Sequence, residues 1–169
     1  LKDGSTVTLR PIRPDDAPRL QEGFSRLTPH TIYMRFFQPV KELTDQQASE
    51  LAEVDYQQRM AIIGYVPEDG HERLVVVARY GMLERVEPGL AEAAIVVRDD
   101  YQGRGLGKIA MQHLVQYARE HGVRGLVATV HANNSPVLAF IRNSGVLFKK
   151  KMLEPGVWEI IVPLDPEDE

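Results

Sequence analysis

The chain contains no cysteine. That excludes disulfides, thiolate metal sites and a cysteine nucleophile. No apolar stretch approaches the roughly 20 residues that a transmembrane helix requires, and the first residues lack the pattern of a secretory signal. There is no excess of basic charge. Lys and Arg number 20 against 24 Asp and Glu, a formal net charge of −4. Nothing therefore favours nucleic acid or an anionic membrane as partner. No His/Asp/Glu spacing suits a metal ion, and repeats, low-complexity tracts and internal linkers are missing. The expectation left by these absences is a cytoplasmic protein. Its 169 residues, 43% of them hydrophobic, suit a single domain spanning 1–169 with a proper core. The chain begins at Leu1 and ends in Asp165-Pro-Glu-Asp-Glu, so both ends read as cuts from a longer chain.

Strand and helix signals alternate along the sequence. Ser5 to Pro11 alternates like a strand, and Pro14-Asp15-Asp16 opens a helix with Leu20, Phe24 and Leu27 on one face. Thr28-Pro29 opens a second helix through Ile32, Tyr33, Phe36 and Phe37. Thr44-Asp45 caps a third through Ala48, Leu51 and Val54. Met60 to Val66 and Leu74 to Leu83 read as strands joined by a turn over Pro67 to His71. Gly125 to His131 is a strand, and Asn133-Asn134-Ser135-Pro136 starts a helix ending near Gly145. Two last strands, Val146 to Leu153 and Val157 to Leu164, flank Glu154-Pro155-Gly156. This mixture predicts an α/β domain with a mixed, mostly antiparallel sheet.

Residues 92–108 carry the most information. Ile95-Val96-Val97 reads as a buried strand that Asp99 and Asp100 end. A glycine-rich turn follows, then a helix with Leu106, Ile109, Ala110, His113, Leu114 and Tyr117 in apolar period. Strand, glycine turn and helix in that order present backbone N–H groups and a positive dipole end to a phosphate. Both common phosphate motifs fail on spacing. Gln102 stands where a Walker A loop needs its first glycine, and Lys108 where the dinucleotide fingerprint needs its third. The run Gln102-Gly103-Arg104-Gly105-Leu106-Gly107 fits Gln/Arg-x-x-Gly-x-Gly/Ala instead.

That pattern resembles the acetyl-CoA pyrophosphate loop of the GNAT N-acetyltransferases, and the order of elements resembles that family over nearly the whole chain. Leu1-Lys2-Asp3-Gly4, Leu9 to Asp16, Tyr33 to Phe37 and Ala91-Glu92-Ala93-Ala94 are similar to motifs of bacterial Pat-type protein lysine acetyltransferases. The resemblance implies a GNAT (acyl-CoA N-acyltransferase) fold, its sheet splayed after the fourth strand to admit the pantetheine arm. It implies acetyl-CoA as cosubstrate, no metal, and a protein lysine acceptor, for instance on an acyl-CoA synthetase. Ile95, Val96, Val97, the loop Gln102, Gly103, Arg104, Gly105, Leu106, Gly107 and Lys108, and the second segment Asn133, Asn134 and Ser135 become cosubstrate-binding candidates. The second segment is equally read as a helix cap with Pro at the first helical position.

A lysine ammonium has a pKa near 10.4 and must lose a proton before it attacks a thioester. By the Ala-Glu-x-Ala resemblance Glu92 is the general base. From the residues alone it reads as a carboxylate exposed at a strand end. Backbone N–H groups of Ile95 to Val97 would polarise the carbonyl if a β-bulge freed one of them, and Arg104 and Lys108 would add charge at the pyrophosphate. With no cysteine present, direct attack in a ternary complex is the simplest scheme. One departure stands out. Many family members carry a tyrosine that protonates the leaving thiolate, and here that position is Ile141, beside Phe140. Of the histidines only His131, ending a strand beside the cleft, is a second candidate base. A small-molecule amine acetyltransferase and a non-catalytic acyl-CoA sensor are the competing functions.

Overall fold

The computed structural model describes residues 1, 3–36, 40–83, 89–143 and 147–164. Among these residues seven strands form one sheet: β1 (Thr8–Pro11), β2 (Arg59–Glu68), β3 (His71–Met82), β4 (Leu90–Val97), β5 (Gly125–His131), β6 (Lys149–Glu154) and β7 (Val157–Pro163). Their order is β1-β2-β3-β4-β5-β7-β6, and every neighbouring pair is antiparallel except β4–β5. Among the described residues five α-helices flank the sheet: α1 (Ala17–Ser25), α2 (Pro29–Phe36), α3 (Asp45–Ala52), α4 (Leu106–Glu120) and α5 (Ser135–Asn143).

The two faces of the sheet have different partners. Helix α4 lays Leu106, Ala110, Leu114 and Ala118 against Val76, Ala78 and Tyr80 of β3 and Ala91 and Ala93 of β4. Those four positions recur every four residues, the stripe a helix needs to sit on a sheet. Leu106 and Leu114 are essentially fully buried, each contributing about 1.5–3 kcal/mol. On the opposite face Leu20 and Ala52 close a second core over Ile12, Ala61, Ile63 and Leu74. Asp16 lies buried at its edge, gripped by both terminal nitrogens of Arg10 at 2.7 Å, by Arg19 Nη1 at 3.0 Å and by the Arg13 N–H at 2.7 Å.

Several sequence expectations shift. Residues 5–7 do not join β1, because the Asp3 carboxylate accepts from both the N–H and the hydroxyl of Ser5 and holds a local turn. The β2–β3 connection is two residues, not five. Asp69 and Gly70, both at positive φ, make the turn between the paired residues Glu68 and His71. Pro67 fits inside β2 because β1 pairs no further along β2 than Tyr65, so its missing N–H costs no ladder bond. Helix α3 stops at Ala52, short of Val54, as Glu53 turns extended. His113, expected on the apolar face of α4, is exposed. Phe37, Gly145 and Val146 lie outside the described residues.

Candidate functional site

Strands β4 and β5 pair over only three positions: Leu90↔Gly125, Ala91↔Leu126 and Glu92↔Val127. Gly125 permits the close seam, since a Cβ there would stand 2.8 Å from Leu90 Cδ2. Beyond Glu92 the strands diverge, although β4 runs on to Val97 and β5 to His131. The opening is a cavity of about 450 Å³, lined by Ala93 and Ile95 of β4, Ala128 and Thr129 of β5, Lys108 and Met111 of α4, and Asn134, Phe140 and Ile141 around α5. Losing its neighbour leaves Ile95-Val96-Val97 half-buried, where a continuous sheet would have covered them.

No bulge frees the backbone donors. The β3–β4 ladder keeps an unbroken register from Val76↔Val97 to Met82↔Ala91. Leu83 donates to the Leu90 carbonyl and Arg98 to the Val75 carbonyl, so even-numbered residues of β4 point their polar groups at β3. Alternation then turns Ile95 and Val97 into the opening, and the Val97 carbonyl accepts from Gln102 Nε2 at 2.9 Å. The missing pairing with β5 does what the bulge was expected to do. Val96 faces the other way and lines a smaller cavity of about 70 Å³ on the α1–α3 side.

The glycine loop ends at Gly105, whose φ of 89° is the left-handed conformation glycine tolerates. It caps α4 without a side-chain bond, and the first helical bond runs from Ile109 N to the Gly105 carbonyl at 3.3 Å. The N–H groups of Leu106, Gly107 and Lys108 therefore head a 15-residue helix. Leu106 serves the core with its side chain and the loop only with its backbone. Gly103 has open space around the position of a Cβ. Arg104 is committed elsewhere: it pairs with Asp3 at 2.7 Å, donates to Ser5 Oγ at 2.9 Å and lies 4.4 Å over the Tyr101 ring. Lys108 is the cation of the loop that lines the cavity. Asn134 also lines it while its Oδ1 accepts from Val137 N at 3.4 Å, so it caps α5 as well. Asn133 and Ser135 are exposed beside it.

Glu92 is the last paired residue at the vertex of the splay. Its side chain is exposed and lies beside the large cavity rather than among its lining. It shares its sheet face with Ala94, Val96 and, on β3, Arg79, under α2. Asp99 anchors α2 there, accepting from Thr28 N at 3.1 Å, Thr28 Oγ1 at 2.9 Å and Thr31 Oγ1 at 2.7 Å. Burial alone would raise the Asp99 pKa, but these bonds hold it below the usual carboxylate range. Tyr33 of α2 stacks on His131 at 4.8 Å between ring centroids. Arg35 of α2 lines both cavities; burial pushes its pKa down while the Glu92 carboxylate pulls it up. Burial, with Arg35 and Arg59 nearby, pushes Arg79 down to about 10. Sequence reasoning missed Asp99 and Arg79 as parts of this site. The signal for Arg79 was a cation directly after the apolar run Leu74-Val75-Val76-Val77-Ala78.

Residues 27–146 match the sequence profile of the Acetyltransferase (GNAT) family. The chain belongs to that family. It is 39% identical over 134 residues to an acetyltransferase of Pseudomonas aeruginosa, covering 79% of this chain and 71% of that protein. It is 30% identical over 163 residues to the acetyltransferase Pat of Mycolicibacterium smegmatis, covering 96% of this chain but only 48% of that protein. The chain thus spans about half the length of that relative. Among solved structures, the GNAT domain of S. lividans PAT superposes with a TM-score of 0.84 at 28% identity, over 96% of this chain and 93% of that one. The acetyltransferase yncA of Salmonella typhimurium, solved with its cofactor acetyl-CoA, shares the fold at a TM-score of 0.71 and 17% identity, over 95% of each chain.

Proposed function

We propose that the protein moves an acetyl group from acetyl-CoA to the side-chain amine of a protein lysine, in the cytoplasm, by direct attack in a ternary complex. The observation that carries the reading is the placement of Glu92. A solvent-open carboxylate sits at the vertex of the parallel β4–β5 seam, between the cavity on one side and the sheet face under α2 on the other. An amine reaching Glu92 from solvent needs no enclosed pocket, which suits a side chain carried on a large protein. Similarity to the two Pat proteins supports the same acceptor class.

The residues present fit acetyl-CoA. The uncapped N-terminus of α4, with Gly103, Gly105 and Gly107 bare of side chains, accepts phosphates on the N–H groups of Leu106, Gly107 and Lys108. The edge of β4 offers the backbone groups of Ile95 and Val97 to an amide-bearing arm, and Asn134 faces it across the cavity. When bound, the cosubstrate supplies the activated acyl carbon. Glu92 takes the proton from the lysine ammonium, directly or through one water. An N–H on the β4 edge donates to the carbonyl oxygen as negative charge gathers there. Ile141 and Phe140 bring no hydroxyl to the leaving sulfur, so its proton comes from Ser135 or a water, or it departs as thiolate.

Incubation with acetyl-CoA and a panel of candidate acceptors, an AMP-forming acyl-CoA synthetase among them, tests the reading by mass spectrometry of modified lysines. Acetylation of defined lysines that depends on Glu92 is the expected result. A chain that binds acetyl-CoA yet modifies only small amines, or nothing, refutes it.

A further inference from the structure

The sheet face that holds Glu92 is crowded with cations. Across the register, Arg59 of β2 stands opposite Gly81 of β3, and Gly81 opposite Glu92. Arg79 is two residues from Gly81 and so diagonal to Glu92, within reach of a long side chain. Arg35 reaches down from α2 and lines both cavities. Arg59 and Arg79 thus share the sheet face of Glu92, Arg35 of α2 feels its charge, and two of the three, Arg35 and Arg79, are half-buried.

Among the described residues none of the three pairs with a carboxylate at ion-pair distance. The other arginine at this cavity, Arg98, is neutralised by Glu68 and by Asp100 at 2.8 Å. Arg79 has one hydrogen bond, to the Leu51 carbonyl at 3.2 Å. The Arg59 guanidinium likewise has one, to the Glu50 carbonyl at 2.8 Å. Arg35 only lies over the Phe36 ring at 4.8 Å. A guanidinium carries five donors, so most remain unspent. Half-burying a cation without a close counter-charge is unfavourable; Arg35 feels the Glu92 carboxylate, whereas burial and the neighbouring Arg35 and Arg59 push Arg79 down with no carboxylate to offset them. A folding role would put a carboxylate at ion-pair distance, as it does for Arg98.

Gly81 adds a second, independent observation. It is the last residue but one of β3, where glycine weakens pairing. A Cβ there would meet only Arg59 Cγ at 3.9 Å, so packing does not demand the glycine. What it leaves is a bare square of sheet between Arg59, Arg79 and Glu92, a floor over which an amine-bearing chain can lie.

Resting on the lysine-acceptor reading, we infer that this sheet face selects acceptors presenting a carboxylate next to the reactive amine. The carboxylate is held by Arg79 and Arg35, with Arg59 at the rim, while the amine lies over Gly81 at Glu92. On a protein acceptor the anion is an acidic side chain flanking the target lysine. A free amino acid would offer the same chemistry through its own carboxylate.

The test is steady-state acetylation by the wild-type chain at saturating acetyl-CoA, with two matched pairs of acceptors. One pair is a blocked peptide with Glu-Lys-Glu and its Gln-Lys-Gln counterpart. The other is a free amino acid and its carboxamide. The Glu peptide should be preferred about tenfold or more in kcat/KM, mainly through KM, as one charge-assisted hydrogen bond is worth. Arg79→Gln should shrink that preference to about twofold. Equal rates within both pairs, or no turnover in either, overturn the inference. A preference for the carboxylate confined to the free amino acid, with no peptide modified, keeps the anion site and discards the protein-lysine reading.

Discussion

Gly107 separates the needs of the fold from those of the ligand. It is the second residue of α4 and has no positive φ. A Cβ built on it would stand 3.5 Å from Ile95 Cδ1 and 3.6 Å from Val97 Cγ2, ordinary contact distances. Gly107→Ala therefore removes a weak helix former, worth up to about 1 kcal/mol, and adds a methyl to an apolar junction without a clash. Net stability should rise by roughly 0.5–1.5 kcal/mol, or Tm by a few degrees for a domain of this size. The same methyl stands at the head of α4, where close backbone approach to a phosphate is proposed, so calorimetric affinity for acetyl-CoA should fall by about tenfold or more. Gly105→Ala is the contrast, because its φ of 89° costs an alanine about 1–2 kcal/mol. A Gly107→Ala protein destabilised by more than about 1 kcal/mol would refute the packing argument. One that is more stable and binds acetyl-CoA unchanged would refute the ligand argument.

Glu92→Gln should leave acetyl-CoA affinity near wild type and lower turnover by roughly 10²–10⁴-fold; full turnover in the variant makes Glu92 a strand-end carboxylate and nothing more. Asn134→Ala should raise KM for acetyl-CoA more than it lowers kcat, because the contact exists before the reaction starts, and a loss confined to kcat would contradict that. Asp16→Asn strips charge from a buried carboxylate held by two arginines and should cost about 3–5 kcal/mol in urea unfolding at neutral pH. Burial alone would raise the pKa of Asp16, but Arg10, the Arg13 N–H and Arg19 hold it below the ordinary value. Its contribution is therefore complete above the unfolded value near 3.9 and lost as pH falls through the folded one. The stability gap between wild type and variant should narrow on acidification, and a gap that widens is the wrong sign.

The fold was legible wherever local chemistry and tertiary packing agreed. Gly125 to His131 is a strand with those bounds because its glycine start and apolar run are also what the seam requires. The expected splay is present, and it is the end of β4–β5 pairing that produces it. The 92–108 segment declared its strand, turn and helix through alternation, glycines and period. What stayed hidden depends on partners distant in sequence. The ion pair of Arg104 with Asp3 spans about a hundred residues, so its charge looked available to a ligand. Asp99 read as a strand terminator because Thr28 and Thr31 are brought to it only by the fold. Arg35, Arg59 and Arg79 come from three separate elements, and no spacing in the chain announces that they share a face with Glu92. The half-burial of Val96 and Val97 likewise follows from a neighbour strand that turns away.

A sheet edge is usually a hazard, since its unpaired N–H and C=O groups invite another chain to add on. Here the splay creates two such edges in the middle of the sheet, and they face each other across a wedge with α4 and α5 beside it. A foreign strand cannot enter a gap closed at its narrow end by the Leu90–Glu92 seam. A slender molecule with amides of its own can, and by bonding to the exposed edge it would act as the missing rung. Binding would then complete the sheet rather than merely fill a hole, coupling ligand occupancy to the integrity of the half formed by β5, β7 and β6. Without a ligand bridge, the only β-pairing between the two halves among the described residues is three pairs of residues.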